Sequence, residues 1–294
     1  MNFRGANVVI SGGSSGIGFA TAKLLARREA NVFIIARNQE RLAQALGEIE
    51  KEKVDENQLF EAFSADVRRY REVEKVIATI VEKVGSPDVL VNSAGICHSN
   101  YFEALPLSAF EDEMGINYLG TLYMIRAVLP HMKANGAGHI VNISSVAGYI
   151  GGFGYSSYSP SKFAVCGLSE VLRGELAPYN IMVSVMFPFD TDTPMLEEEN
   201  KTKPLETKMI TGAVKPEGLK RPAEFIAWGL VKLFTAPPAS PEKVANALIE
   251  GIQKEKHLII PDFGMKLLYY VMPLRFLVNW VSKQMVSLAR REYT

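Results

Sequence analysis

The sequence predicts an α/β fold: a doubly wound parallel sheet with helices on both faces, followed by an amphipathic apolar extension at the C-terminus. Three observations carry this. Short apolar runs alternate with longer stretches whose apolar residues recur at helical spacing. A glycine-rich turn joins the first run to the first helical stretch. The 294 residues contain no internal repeat and no low-complexity tract, and their length suits one large domain.

In chain order, strands are predicted at 7–11, 31–36, 59–64, 89–92, 139–144, 182–186 and 257–260. NVVIS at 7–11 is a β-branched run that stops at glycines. NVFIIA at 31–36 and VLVN at 89–92 are nearly continuous apolar runs, as in strands buried on both faces. LFEAFS, HIVNIS, MVSVM and HLII are short and strand-like too. Helical patterns fill the intervals. The clearest covers 71–84, where Val73, Val76, Ile77, Ile80, Val81 and Val84 share a face. Long helices are expected around 118–132 and 158–177. Strands alternating with helices form parallel βαβ units with right-handed crossovers, and their ligands sit beyond the carboxyl ends of the strands.

Two motifs at those ends carry chemistry. The turn SGGSSGIG at 11–18 contains Gly12, Gly13, Gly16 and Gly18, with Ser14, Ser15 and Ile17 between them. Glycine lets the backbone approach a phosphate, and the following helix points free N–H groups and a positive dipole end at it. The spacing is GxxxGxG, and a purely structural turn is the other reading. Further on, Tyr158 and Lys162 stand four residues apart on one helix face, with Ser145 thirteen residues upstream. An ammonium beside a phenol favours the phenolate, which would make the tyrosine usable in proton transfer near neutral pH. A hydroxyl such as that of Ser145 can hydrogen-bond the oxygen of a carbonyl being reduced. Alone, the tyrosine–lysine spacing also fits a solvated helix face.

Taken together, SGGSSGIG at 11–18, NSAG at 92–95, Asn117 in GINYLG, IVNISSVAG at 140–148, and Tyr158 with Lys162 resemble the short-chain dehydrogenase/reductase family over nearly the whole chain. Ser11 stands where the family usually has threonine. The resemblance implies a Rossmann fold and hydride transfer between a nicotinamide and a carbonyl carbon. It casts Tyr158 as general acid and Ser145 as the group polarising the ketone oxygen, with Ser144 as runner-up. Lys162 would tune the tyrosine and hold the nicotinamide ribose, and Asn117 would hold a water linking Lys162 to solvent. Asp66 and Val67 resemble the adenine-contacting pair, and Asn92, Ala94 and Gly95 the loop along the adenosine ribose and diphosphate. The family's counterparts of the two long helices often pair between subunits, which implies a homo-oligomer.

The cofactor is read from the end of the second strand. An acidic side chain there bonds the ribose 2′-OH in many NAD-binding proteins. Here Ala36 occupies the position, Arg37 follows, and Arg41 lies one helical turn on. Two guanidinium groups suit a 2′-phosphate, so NADPH and the reducing direction are expected. Zero net charge and a pI of 6.9 give no sign of nucleic acid binding. Cys97 and Cys166 have no paired spacing, which fits a reducing compartment. His98, His131, His139 and His257 show no ligand spacing, so no metal is expected.

Two regions speak to the substrate. Residues 187–240 are expected to form a substrate loop or lid. Phe189 stands where the family commonly has glycine, and DTDTP, EEN and KPLET resemble one subgroup, the 3-ketodihydrosphingosine reductases. That resemblance implies a long-chain amino ketone as substrate, with Thr191 and Thr193 against the nicotinamide amide and the diphosphate. Glu197, Glu198 and Glu199 could meet a cationic amine, although a solvated acidic loop is the plainer reading. AEFIAWGLVKLF at 223–234 departs from the subgroup and reads as an extra apolar helix over the substrate mouth.

The second region, 263–294, follows a single catalytic domain spanning 1–262. Leu267, Val271, Leu274, Val278, Val281, Met285 and Leu288 recur at helical spacing, with Arg275, Lys283, Arg290 and Arg291 among them. Such a segment, with Trp280, Tyr269 and Tyr270, suits a membrane interface, and a core or subunit helix is the alternative. No leader peptide is read at the start and no run is long enough to span a bilayer. Peripheral or monotopic association on the cytosolic side is expected, at the endoplasmic reticulum in a eukaryote or the inner membrane or cytoplasm in a bacterium. Competing readings are a hydroxysteroid or 3-oxoacyl reductase, and a non-catalytic NADPH-binding protein.

Overall fold

Alternation along the strands sorts the core into two layers. In β1 (Asn7–Ser11), Val8 and Ile10 belong to one buried cluster and Val9 to another. The same division holds in β2 (Asn31–Ala36), where Val32 and Ile34 part from Phe33 and Ile35. The parallel register aligns Phe33, Val9, Leu90, Ile140 and Val183 in a row across five strands, all on the second face. A one-residue slip of any strand would put its side chains in the wrong layer, so the pattern fixes the register.

The computed structural model describes residues 1–216, 219–234, 237–261, 280–281 and 283–289, with only the backbone of 232–234. After β1 and β2 come β3 (Phe60–Ser64), β4 (Val89–Asn92), β5 (Gly138–Ile143), β6 (Ile181–Met186) and β7 (Leu258–Ile259). All pair in parallel in the order β3-β2-β1-β4-β5-β6-β7. Strand order reverses between β1 and β4, and the crevice at that switch is where such sheets bind ligands.

The helices are α1 (Gly16–Ala26), α2 (Gln39–Glu50), α3 (Tyr70–Val84), α4 (Leu107–Glu113), α5 (Gly120–Asn135), α6 (Tyr158–Leu176), α7 (Pro194–Thr202), α8 (Leu205–Ile210), α9 (Pro222–Phe234) and α10 (Pro241–Gln253). Helices α1, α2 and α10 cover one face of the sheet; α3, α5 and α6 cover the other. α3 starts within one residue of its predicted position and buries Val73, Ile77 and Ile80, three of the six residues on the predicted stripe. The helix expected around 118 begins instead as a wide π-type turn over Met114–Leu119, which runs on into α5. Among the described residues no helix is long and apolar enough to cross a membrane.

The predicted apolar helix over the substrate region is present as α9. Its Ala227, Trp228 and Val231 pack on Met285, with Trp280 and Val281 alongside. The described part of the C-terminal segment therefore rests on α9 of its own chain, with Met285 and Leu288 fully buried. The rest of that segment, including Leu267, Tyr269, Tyr270, Val271, Pro273, Leu274, Arg275, Val278, Arg290 and Arg291, lies outside the described residues.

Candidate active site

A cavity of about 340 Å³ opens at the carboxyl ends of β1, β4, β5 and β6. Its floor contains Gly12, Ser15, Gly16 and Ile17 from the glycine turn, and Ser93, Ala94 and Gly95 after β4. Two glycines are there for close packing. A Cβ on Gly12, whose φ is +71°, would lie 2.7 Å from the backbone nitrogen of Ala94, and a Cβ on Gly18 would collide with the Gly12 carbonyl. Ser15 sits at the N-cap of α1 without capping it, so the first-turn N–H groups stay open toward the cavity. That arrangement fits a dinucleotide diphosphate. Ser14 does not reach the cavity wall.

β5 and α6 deliver the reactive groups. Tyr158 opens α6 and Lys162 follows one turn later, both buried and both facing the cavity with Ser145. Burial pushes the Tyr158 hydroxyl well above the ordinary phenol range; Cys97 and Glu199 push the same way, and a hydrogen bond with Ser145 pulls against them. The expectation of a phenol poised to ionise is therefore corrected: Lys162 Nζ lies 5.6 Å from the Tyr158 ring centre and donates to the Ile143 carbonyl at 3.0 Å. Burial also lowers Lys162 to about 8.

The two candidate serines divide their work. Ser144 Oγ donates to the Lys162 carbonyl at 3.0 Å and lies 3.1 Å from Cys166 Sγ, so it braces α6. Ser145 borders the cavity beside Tyr158 and pulls the tyrosine hydroxyl down, while its own Oγ accepts from Ala147 N at 3.1 Å. Asn117 lies in the π-type turn and is buried. Its Oδ1 accepts from Ile96 N at 2.9 Å, and its Nδ2 donates to Ile96 O at 3.0 Å and to Ser161 Oγ at 2.9 Å. Asn117 and Lys162 converge over Gly95, where a Cβ would lie 3.1 Å from Asn117 Oδ1 and 3.4 Å from Lys162 Nζ.

The remaining predicted cofactor residues fall into two groups. Thr191 and Thr193 border the cavity with Ala94 and Gly95. Thr193 also caps α7, accepting from Leu196 N at 3.4 Å. Arg37 follows the end of β2 and Arg41 lies in the first turn of α2; both are exposed, and neither is ion-paired among the described residues. Asp66 is bound by Arg68 at 2.8 Å, and Val67 packs against Gly120. Asn92 departs from its expected place. Its Nδ2 donates to Asn142 Oδ1 at 2.8 Å, and Asn142 reaches Ser169, so it joins β4, β5 and α6 inside the molecule.

One set of side chains was not anticipated as a unit. Glu197 and Glu198 are exposed, as a solvated loop requires, but Glu199 is buried and borders the cavity. Its Oε1 accepts from Tyr155 Oη at 2.5 Å and meets Lys203 Nζ at 2.6 Å. Lys203 is completely buried, and its Nζ lies 3.8 Å from Asp190, which also borders the cavity. Burial raises the Asp190 carboxyl, against the pull of Lys203. The Tyr155 ring stands 6.0 Å from that of Tyr158. The sequence signal was the spacing of Leu196, Glu199 and Lys203, which share one face of α7 and its C-cap.

With the glycine turn, the open helix end and the Ser145–Tyr158–Lys162 set in one crevice, residues 6–204 match the family described as short chain dehydrogenase. The chain belongs to that family. Within it, the sequence is 49% identical over 217 residues to the 3-ketodihydrosphingosine reductase of Mus musculus, covering 72% of this chain and 65% of the mouse protein, a little under two thirds of its length. A 3-ketodihydrosphingosine reductase of Dictyostelium discoideum is 36% identical over 284 residues, covering 92% of this chain and 78% of its own. The fold matches a solved short-chain type dehydrogenase/reductase from Mycobacterium ulcerans with a TM-score of 0.75 at 21% identity, over 95% of this chain and 99% of that one.

Proposed function

We propose that this protein is an NADPH-dependent reductase of a long-chain amino ketone, converting 3-ketodihydrosphingosine to dihydrosphingosine. The observation that carries the reading is the cavity itself. Ser145, Tyr158 and Lys162 stand at one part of its wall, while Ile210, Leu230, Val231 and Val281 supply an apolar part suited to an alkyl chain. The names of the mouse and Dictyostelium relatives support the substrate. The open N-terminus of α1 supports NADPH, as do the exposed Arg37 and Arg41, which form no ion pair among the described residues and stand near Ala36 instead of a carboxylate.

When bound, the cofactor supplies a hydride to the carbonyl carbon. Ser145 orients the ketone oxygen through its hydroxyl and bonds the Tyr158 hydroxyl. Tyr158, kept protonated by burial, gives its proton to that oxygen as negative charge develops there. Lys162 places a positive charge behind the tyrosine and steadies the phenolate left after transfer. Asn117 fixes the 92–96 loop through Ile96 and, in this reading, holds the water that returns a proton toward Lys162. Thr191, Thr193, Ala94 and Gly95 hold the nicotinamide half; Arg37 and Arg41 hold the 2′-phosphate.

The same reading places the protein at a cytosol-facing membrane surface, where such a ketone partitions. The exposed apolar Phe225 and Ile226 of α9 support that placement. Exposed Phe163 and Val171 on α6 support pairing with a second copy through that helix. The test is NADPH oxidation with 3-ketodihydrosphingosine, beside a steroid ketone and a 3-oxoacyl thioester. The amino ketone should be the fastest substrate; a faster steroid or thioester would replace this reading with the corresponding reductase, and no turnover with any would favour a non-catalytic NADPH-binding protein.

A further inference from the structure

We infer that Asp190 and Glu199 form an ammonium subsite in the cavity and select a substrate bearing a protonated amine next to the carbonyl that is reduced. The inference rests on the reading of the cavity as a long-chain ketone site and names the groups that recognise its head. Three features support it. Two carboxylates face the cavity, and among the described residues a single cation, Lys203, lies within ion-pair distance of either. Lys203 is spent on Glu199 at 2.6 Å and stays 3.8 Å from Asp190, whose carboxylate accepts no hydrogen bond among the described residues. Glu199 and Lys203 are buried while Asp190 is a quarter exposed at the cavity wall, so the cluster carries one carboxylate more than Lys203 balances and attracts a further cation to the cavity side.

Position is the second feature. Glu199 is anchored by Tyr155, and the Tyr155 ring lies beside that of Tyr158. The acidic pair is thus one aromatic side chain away from the proposed proton donor. An amine on the carbon next to a ketone is two bonds from the reacting carbon, so its partner must lie about this close to the chemistry. A cation farther along the chain would meet Ile150, Phe153, Ile210, Leu230 and Val231, with no carboxylate among the described lining residues there.

Rigidity is the third. Thr193 caps α7, and Lys203, fully buried, stands where that helix stops. The carboxylate of Glu199 is thereby held in place before substrate arrives, which lowers the ordering cost of recognition. A solvated acidic loop would have neither the burial nor the anchor.

The experiment compares 3-ketodihydrosphingosine with the same long-chain hydroxy-ketone lacking the amine, in the full chain with NADPH. The wild-type ratio of kcat/KM should favour the amine by at least about tenfold, carried mainly by KM, and Asp190→Asn should bring that ratio close to one. Glu199→Gln strands Lys203 and is a harsher variant, so Asp190→Asn is the first choice. Binding of dihydrosphingosine and of its deaminated analogue to the wild-type protein gives a second readout that needs neither turnover nor a variant: the amine should bind at least about tenfold more tightly. Equal binding of the two, or an unchanged ratio in Asp190→Asn, overturns the ammonium subsite while leaving the reductase reading intact. Amine-selective binding without NADPH oxidation would sink the reductase reading and keep the subsite.

Discussion

In the proposed reduction, Tyr158 keeps its proton until the carbonyl oxygen demands it. Burial raises the hydroxyl, and the neighbouring Ser145 pulls the other way. Tyr158→Phe removes only that hydroxyl and should lower turnover by about 100-fold or more, as loss of a general acid does, with NADPH binding kept when read by cofactor fluorescence. Lys162 has its own signature. Its ammonium is lowered to about 8 by burial, so it is charged below that pH and neutral above it. For reduction, kcat/KM should be flat on the acid side and fall as pH rises through about 8, since that profile reports groups of the free enzyme. A profile with no break near there would detach Lys162 from the reaction. Arg37 is tested by cofactor choice. The wild-type protein should prefer NADPH over NADH by about tenfold or more, and Arg37→Asp should remove or reverse the preference, because a charged hydrogen bond to phosphate is worth about 1.5–3 kcal/mol.

At the scale of elements, what was legible in the sequence and what was not separate cleanly. The β-branched runs and the stripe on α3 gave all seven strands and that helix to within a residue or two, because burial on two faces leaves a strong apolar pattern. The π-type turn at Met114–Leu119 was not legible: it changes the hydrogen-bond step and leaves composition unchanged. The acidic site was half legible. EEEN reads as solvated, and only the face shared with Leu196 and Lys203 turns Glu199 inward. Asn92 was misplaced because a motif residue can serve the sheet from inside, where the Asn142–Ser169 chain takes it. The glycine turn makes the element-scale prediction. Gly18→Ala would press a methyl group into the Gly12 carbonyl and force α1 off the turn. Overpacking of this kind costs about 1–3 kcal/mol, so a lower denaturant midpoint is expected together with weaker NADPH binding. Unchanged cofactor affinity would mean that α1 does not hold the diphosphate.

Across the whole molecule, the parallel sheet also carries one buried switchable group. His139 is the second residue of β5 and stands opposite Met182 of β6; its Nε2 lies 2.7 Å from Ser184 Oγ, two residues farther along that strand. That hydroxyl gives its proton to the Lys256 carbonyl at 2.6 Å, so the histidine must donate through Nε2 and keep Nδ1 as a bare acceptor. The link ties β5 and β6 to the turn entering β7. Burial lowers the imidazole to about 4, against an ordinary value near 6.5 in the unfolded chain. Between those values the unfolded state binds the extra proton, so stability is complete above about 6.5 and is lost as pH falls toward 4, by about 3 kcal/mol in all. Asp190 and Glu113, both raised by burial, work in the opposite sense as pH falls. The histidine is therefore isolated by difference. Denaturant midpoints should be measured from pH 4 to 8 for the wild-type protein and for His139→Gln, which keeps a donor but cannot titrate. The gap between the two curves should narrow steadily below pH 6.5 as the wild type loses its advantage; a gap that stays constant with pH would mean that His139 is not held neutral in the fold.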